Sequence, residues 1–247
     1  MAEPDFSKEI EGLTEDIATG IAALVAALQR RTMMLLTRTA IDGIRPWELP
    51  GLSGEVGTTL QPPSLDRYIT RGWDMGVQHA GGDIQRATAS VQRAMAIQVA
   101  RELAERWAGD VAGQVMTRTR LSVMAGDIRG LLGELRGYFG GQALQRLRSI
   151  AVTESLRAYS MGFYEVAQSL KTVTHKVWVY DHMPQYPRTG HMAAAGQKVP
   201  IKRPFMVAVM VGEAPEPLMY PRDPAASPRQ VLGCGCSMRL MRSVGSV

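Results

Sequence analysis

The sequence contains very little cysteine: Cys234 and Cys236 are the only two among 247 residues, and one residue separates them. Two cysteines cannot form the set of disulfides on which small secreted domains depend, so a disulfide scaffold is excluded. A disulfide across one intervening residue also requires strained geometry, so we do not expect these two thiols to be bridged.

Long apolar runs and a signal sequence are also missing. The most apolar stretch, residues 17–28, is followed by Gln29 and two arginines, well short of the roughly 20 apolar residues that cross a bilayer. The first 16 residues are acidic and contain no apolar core of a signal peptide. We therefore expect no secretion, and a membrane-active DNA-ejection protein that uses residues 17–41 is only an alternative.

The complete motifs of common enzyme classes are absent as well. There is no nucleophile elbow, no H-E-x-x-H pair and no phosphate-binding glycine loop. We therefore predict that the protein is not an enzyme and assign no catalytic residue. The alternative is a small Cys/His metal-dependent enzyme, nuclease-like or transferase-like, in which a cysteine is the nucleophile, His191 the base and Asp181 its orienting partner.

The charge is moderately basic, with a net charge of +5 and a pI of about 9.4. Such a balance fits a protein that works near nucleic acid, but many other proteins share it, and here the arginines form no concentrated tract. Candidates for non-specific contact with DNA phosphates are Arg118, Arg120, Arg146 and Arg148. The alternative for these arginines is a solvated helix face.

Patterns along the chain predict an α+β protein, with a long, mainly helical N-terminal two-thirds followed by a small β/loop-rich C-terminal module. Residues 1–43 predict an amphipathic helix, because apolar residues recur at three- and four-residue steps. Residues 44–64 are rich in Gly, Pro, Ser and Thr and predict a linker or arm. Residues 65–172 predict further helices with a break at 107–113 and an interruption near the glycines of 137–141. Residues 173–247 predict a compact module that ends in Cys-x-Cys, with strands in TVTHKVWVYD, which alternates, and in FMVAVMV.

Polar residues in the last 100 positions predict a structural network. Glu154 and Arg157 are three residues apart and can pair along a helix. Asp181 and Arg188 can pair across a loop, and His191 can form hydrogen bonds or bind a metal. Such networks often fix the loops of a small module around one tryptophan. The predicted network consists of Glu154, Arg157, Trp178, Asp181, Arg188 and His191.

The two cysteines can supply half of a tetrahedral zinc site, and histidines of the same module would supply the other half. His191 and His182 are the leading candidates, and His175 is a third. The alternative, which the residue pattern favours, is that Cys234 and Cys236 are small buried apolar groups in a tight turn that the flanking glycines permit. We therefore predict no bound cofactor, with zinc as the alternative.

Short motifs follow one another in order from residue 150 to about residue 238. They are A-x-T-E-x-x-R-A-x-x-x-G, K-x-W, an Asp, P-R-x-x-H, A-G-Q-x-V-P-I-x-x-P-F, P-R-D-P-x-x-S and C-x-C. This ordered set resembles the C-terminal region of the head-morphogenesis, or minor capsid, proteins of tailed bacteriophages, the Mu-type virion-morphogenesis family. The matching residues are Thr153, Glu154, Arg157, Ala158, Gly162, Trp178, Asp181, Arg188, His191, Gly196, Gln197, Phe205, Pro221, Asp223, Pro224, Cys234 and Cys236.

The resemblance implies a structural or assembly protein of the virion. Such a minor head protein is associated with the portal or the major capsid protein and acts in head morphogenesis and in DNA packaging or delivery. It would be assembled in the host cytoplasm and reside in the virion, with non-specific contact with packaged DNA as a further expectation. Outside the matching region, the apolar stripe of the N-terminal helix suits docking onto a partner or self-association.

Two features depart from the family pattern. Members commonly end in N-C-R-C, where this chain has Gly233 and Gly235 before its cysteines, and many carry an earlier cysteine pair that this chain lacks. The resemblance therefore implies at most a mixed Cys/His site, with His182 and His191 as partners of the two cysteines.

Overall fold

A computed structural model describes residues 7–41, 48–87, 89–180 and 188–243. The protein is α+β, as predicted, with long helices first and short strands after residue 172. The helices are α1 Ser7–Ile41, α2 Leu49–Thr59, α3 Asp66–His79, α4 Ile84–Ala87, α5 Val91–Ala125, α6 Ile128–Tyr138, α7 Leu144–Ser169, α8 Thr189–Ala193 and α9 Pro228–Val231. The strands are β1 Val173–Val179, β2 Lys198–Pro200, β3 Phe205–Val207, β4 Glu216–Leu218 and β5 Ser237–Arg242.

The chain divides into two compact units that do not follow the predicted linear boundaries. The first, here called the helical unit, comprises residues 7–65 and 99–151. The second, called the mixed unit, comprises residues 66–98 together with everything described after residue 151. Helix α3 therefore belongs with the strands and not with the helices that precede it. Nothing in the local sequence pattern marks this division, because it depends on contacts between distant segments.

The apolar stripe of α1 is buried inside the helical unit. Ile17 and Ile21 have no exposed surface, and Val25 and Leu28 are almost fully covered. Their spacing of three and four residues places them on one face of the helix, as predicted. Because this face packs within the unit, the structure does not leave it free for a membrane or a partner. In the described residues, no helix is long and apolar enough to cross a bilayer.

The prediction of a linker or arm at residues 44–64 is wrong over much of its length. Helix α2 occupies Leu49–Thr59, and Leu49, Leu52 and Val56 are buried. These apolar residues recur at three- and four-residue steps, and their burial outweighs the low helix propensity of the three glycines in this helix. Pro50 lies at the start of the helix, where its missing N–H is not needed.

The predicted break at 107–113 is also wrong, because α5 runs through it without interruption from Val91 to Ala125. Trp107 and Val111 are fully or almost fully buried there, so packing holds the helix together across two glycines. The actual break is at Gly126, which has a positive φ of 70°, and Asp127 then caps α6. A π-helical turn at Phe139–Ala143 joins α6 to α7, at the site where glycines predicted an interruption.

Helices α3 and α7 approach closely in the mixed unit because glycines line their contact. A Cβ atom on Gly72 would lie 2.3 Å from the Ser155 carbonyl oxygen, and one on Gly76 would lie 2.1 Å from the Tyr159 carbonyl oxygen. Gly162 on α7 faces the backbone of Trp73 in the same way. Only residues without a side chain permit this approach.

The strands of the mixed unit form two small antiparallel sheets. The first has the order β2–β1–β5, and the second pairs β3 with β4. The alternation of TVTHKVWV predicted β1 correctly, and its Lys176, Val177 and Trp178 are all buried. Of the predicted strand FMVAVMV, only Phe205–Val207 is a strand.

Candidate metal-binding site

Three side chains from two distant segments converge in a buried cluster. His191 lies on α8, and Cys234 and Cys236 lie in the segment between α9 and β5. The His191 Nδ1 atom is 3.5 Å from the Cys234 sulfur and 3.4 Å from the Cys236 sulfur. In tetrahedral zinc sites, bonds of 2.0–2.1 Å to nitrogen and about 2.3 Å to sulfur place these ligand atoms about 3.6 Å apart. The group can therefore hold a metal ion.

A glutamine holds the histidine from the other side. His191 Nε2 lies 2.6 Å from Gln230 Oε1, and Gln230 Nε2 donates a hydrogen bond of 2.8 Å to the Val207 carbonyl oxygen. Both side chains are buried, at 1% and 0% exposure. The Trp178 ring packs against His191 edge to face, with 5.7 Å between ring centroids. The imidazole is thus held by neighbours on several sides.

A close backbone approach positions α8 beside these partners. The Gly190 N–H donates to the Val209 carbonyl oxygen at 3.1 Å, and a Cβ atom on Gly190 would lie 2.2 Å from the Ala208 carbonyl oxygen. Any side chain at position 190 would move the helix away from this segment. Gly190 therefore determines where the adjacent His191 lies.

Arg222 ties the cysteine segment to α7. Its guanidinium donates to the Cys236 carbonyl oxygen at 2.9 Å and to the Ser160 hydroxyl at 3.2 Å. The side chain is buried, and the residue has a φ of 64°, which is unfavourable for any residue except glycine. Arg222 adopts this strained conformation, and its guanidinium places a positive charge near the two sulfurs.

The pKa values of the two neighbouring thiols are shifted in opposite directions. The hydrogen bond from Cys236 lowers the pKa of Cys234 well below its usual range, although burial opposes the shift, and the Arg222 charge contributes in the same direction as the hydrogen bond. The same hydrogen bond and burial raise the pKa of Cys236. The buried Trp178 N–H faces the Cys236 sulfur and opposes this rise, and it has no other hydrogen-bond partner in the described part of the chain. Such a donor would stabilise a thiolate that binds a metal.

A buried lysine lies in the same unit. Lys176 has no exposed surface, and its ammonium group donates to the Met219 carbonyl oxygen. It also lies 4.6 Å from the Tyr164 ring centroid and 5.0 Å from that of Phe205. Burial lowers the pKa of Lys176 to about 8, although Asp223 opposes the shift. The aromatic rings and the carbonyl partly replace the lost hydration of the charge.

The predicted pair on α7 is present. Arg157 donates to Glu154 at 2.6 Å, and burial raises the pKa of Glu154 in spite of this partner. The contacts that join α7 to the strands and loops come from residues farther along the helix, at Ser160 and Tyr164. Tyr164 donates to the Ile201 carbonyl oxygen. Sequence reasoning therefore identified the right helix but missed the residues that connect it.

The structure describes only some of the other predicted site residues. Arg188 donates to the Leu232 carbonyl oxygen next to the cysteine segment. Asp181 and His182 lie outside the described residues, so their predicted roles stay predictions. Sequence reasoning missed Gln230, Gly190 and Ser160 entirely. Sequence reasoning also assigned no role to Arg222, but its place in the P-R-D-P motif could have identified it.

Two of the four arginines proposed for DNA contact have partners within the helical unit. Arg118 lies 4.5 Å from the Tyr138 ring centroid and donates to the Gln114 side chain. Arg146 forms an exposed ion pair of 2.7 Å with Asp110. The remaining two, Arg120 and Arg148, are exposed. DNA contact stays a prediction for all four.

The chain was compared with protein-family models, with curated proteins and with solved structures, and none of the three comparisons found a match.

Proposed function

We propose that this protein is a structural and assembly component of a tailed-phage head, a minor head protein that docks on the portal or the capsid. In this proposal, zinc on His191, Cys234 and Cys236 holds its mixed unit together. The observation that supports it is the convergence of the motif residues. The matching residues run from Thr153 to Cys236, those that are described lie in the mixed unit, and its histidine and cysteines meet in one buried cluster.

Burial favours a structural metal over a catalytic one. His191, Cys234 and Cys236 are 1%, 3% and 1% exposed. A catalytic zinc keeps one coordination position open to water and substrate, whereas a structural site is closed by protein ligands. This argues against the alternative of a metal-dependent enzyme. With His182 as the proposed fourth ligand, the two thiolates and His191 would form a Cys2His2 set, which is a donor set of structural zinc sites.

The cluster joins parts of the chain that are distant in sequence. Cys234 is 43 residues from His191 in sequence, and the intervening strands are only three residues long. Such short elements bury little apolar surface, and small modules of this kind commonly use a metal in place of a larger core. When bound, zinc would supply that cross-link, because its binding free energy adds to the free energy of unfolding.

The metal role is tested on the purified full chain by mass-spectrometric zinc analysis and thermal unfolding with and without a chelator. We expect one tightly held zinc per chain and a lower melting temperature after chelation. Cys234→Ser and Cys236→Ser should lose the metal. His175→Ala is the matched control, because His175 lies on β1 with its ring nitrogen on Thr174. No zinc, together with unchanged stability of Cys234→Ser, would exclude the metal role.

The assembly role needs a separate measurement. We expect the protein to sediment with portal protein in purified heads, at a fixed copy number per particle. A protein that stays entirely in the soluble fraction during head assembly would contradict the proposed role. Nuclease or transferase activity that is lost in the cysteine variants would favour the enzyme alternative.

A further inference from the structure

The two neighbours of Gln230 determine which way its side-chain amide is oriented. Its Nε2 atom lies 2.8 Å from the Val207 carbonyl oxygen. A carbonyl oxygen only accepts hydrogen bonds, so the amide nitrogen must be on that side. The amide oxygen therefore faces His191. Since Gln230 has no exposed surface, water does not compete for either contact.

This orientation decides where the proton of His191 resides. The Gln230 Oε1 atom cannot donate, so His191 Nε2, at 2.6 Å, must carry the hydrogen. A neutral imidazole has one N–H group, so Nδ1 is left with a lone pair. That lone pair is on the side of the two sulfurs, at 3.4 and 3.5 Å.

We propose that Gln230 is the positioning residue of this site, because it fixes His191 with the proton on Nε2 and so presents Nδ1 as the metal ligand. The chain of contacts runs from the Val207 carbonyl through Gln230 to His191. In free histidine, both neutral tautomers are populated, and only one of them can bind a metal through Nδ1. A metal-ligating histidine usually donates its second N–H to a neighbouring group. Mutation of that neighbour typically weakens metal binding 10–100-fold.

The predicted effect of Gln230 on metal affinity rests on the metal role proposed above. The predicted tautomer of His191 does not depend on that role. It can be read in the full chain without metal, by two-bond ¹H–¹⁵N correlation spectra of ¹⁵N-histidine-labelled protein at pH 8. His191 would be assigned by its loss in His191→Gln. We expect the spectrum of a neutral ring protonated on Nε2. A proton on Nδ1 in the wild type, alone or together with one on Nε2, would overturn the proposal.

Variants then separate positioning from general damage. Gln230→Leu should lose the single tautomer and bind Co²⁺ and Zn²⁺ 10–100-fold more weakly, measured by cobalt–thiolate absorbance and zinc competition. Gln197→Leu is the matched control, because Gln197 also forms two side-chain bonds to backbone, at Met206, without touching His191. It should keep the wild-type tautomer and affinity. Equal affinities in the two variants would overturn the proposal.

A second substitution keeps the test usable if Gln230→Leu does not fold. Gln230→Met has a similar length and no amide, so it should also lose the single tautomer and bind Co²⁺ 10–100-fold more weakly than wild type. The wild-type tautomer and affinity in this folded variant would overturn the proposal. If the wild type binds neither metal, the metal role fails, and the metal-free spectrum still decides whether Gln230 sets the tautomer.

Discussion

The close contact of α3 with α7 makes Gly76→Ala the most informative stability test in the mixed unit. The added Cβ atom would lie 2.1 Å from the Tyr159 carbonyl oxygen and 2.9 Å from the Phe163 amide nitrogen. Ordinary contacts between such atoms are about 3.5–4 Å, so one helix must retreat by about 1 Å or more. Both obstructing atoms belong to the backbone and cannot rotate away.

Two opposing terms set the magnitude. Overpacking a core costs about 1–3 kcal/mol, and the rigid backbone places Gly76→Ala at the upper end of that range. Alanine also has a higher helix propensity than glycine, which contributes up to about 1 kcal/mol in the other direction. We therefore expect a net loss of about 2 kcal/mol in the free energy of unfolding. At about 2–4 °C per kcal/mol, the melting temperature falls by about 4–8 °C.

Gly113→Ala is the matched control, because Gly113 lies inside α5 and a Cβ atom there would meet nothing within 4 Å. Only the propensity term applies, so this variant should gain up to about 1 kcal/mol. Urea and thermal unfolding, followed by far-ultraviolet circular dichroism, measure both variants. If Gly76→Ala is as stable as wild type, or if both variants shift in the same direction, the argument from close approach is refuted.

Two further variants test burial and capping. Lys176→Met should alter the pH dependence of stability. The folded pKa of Lys176, about 8, is below its unfolded value, so the unfolded chain binds more protons than the folded protein between these two pH values. Wild-type stability therefore rises as the pH rises through 8. Between pH 7 and 9.5 that gain is on the order of 2 kcal/mol in urea unfolding, and Lys176→Met should lack it, so parallel pH curves would contradict the prediction. Asp127→Ala removes the acceptor of the Gly130 N–H at the start of α6 and should cost about 1 kcal/mol, whereas Asp127→Asn should cost little. An unfolding midpoint that is the same in Asp127→Ala and wild type would show that this cap contributes nothing.

Local patterns were sufficient for the elements whose energetics are local. The spacing of Ile17, Ile21 and Val25 identified the buried face of α1, and alternation identified β1. The Glu154–Arg157 pair followed from helical geometry, since residues three apart are neighbours on any helix. The scarcity of cysteine and its C-x-C spacing pointed to a metal site or a buried turn before any contact was known.

Glycine and proline content was misleading where packing outweighed propensity. Residues 49–59 contain glycines that predict a loop, but Leu52 and Val56 bury enough apolar surface to keep the segment helical. The same holds for α5 across Gly109 and Gly113. Propensity differences amount to about 1 kcal/mol per residue, and the burial of a few large side chains exceeds that.

The sequence by itself determined which residue types could form the site: two thiols one residue apart and a small number of histidines. Only the tertiary structure decided that His191 meets the cysteines, that Nδ1 faces them, and that Gln230 holds the ring. The physical reason is that these contacts join segments about 40 residues apart. They depend on the close backbone approach at Gly190 and on the Arg222 link to α7, which no local periodicity encodes.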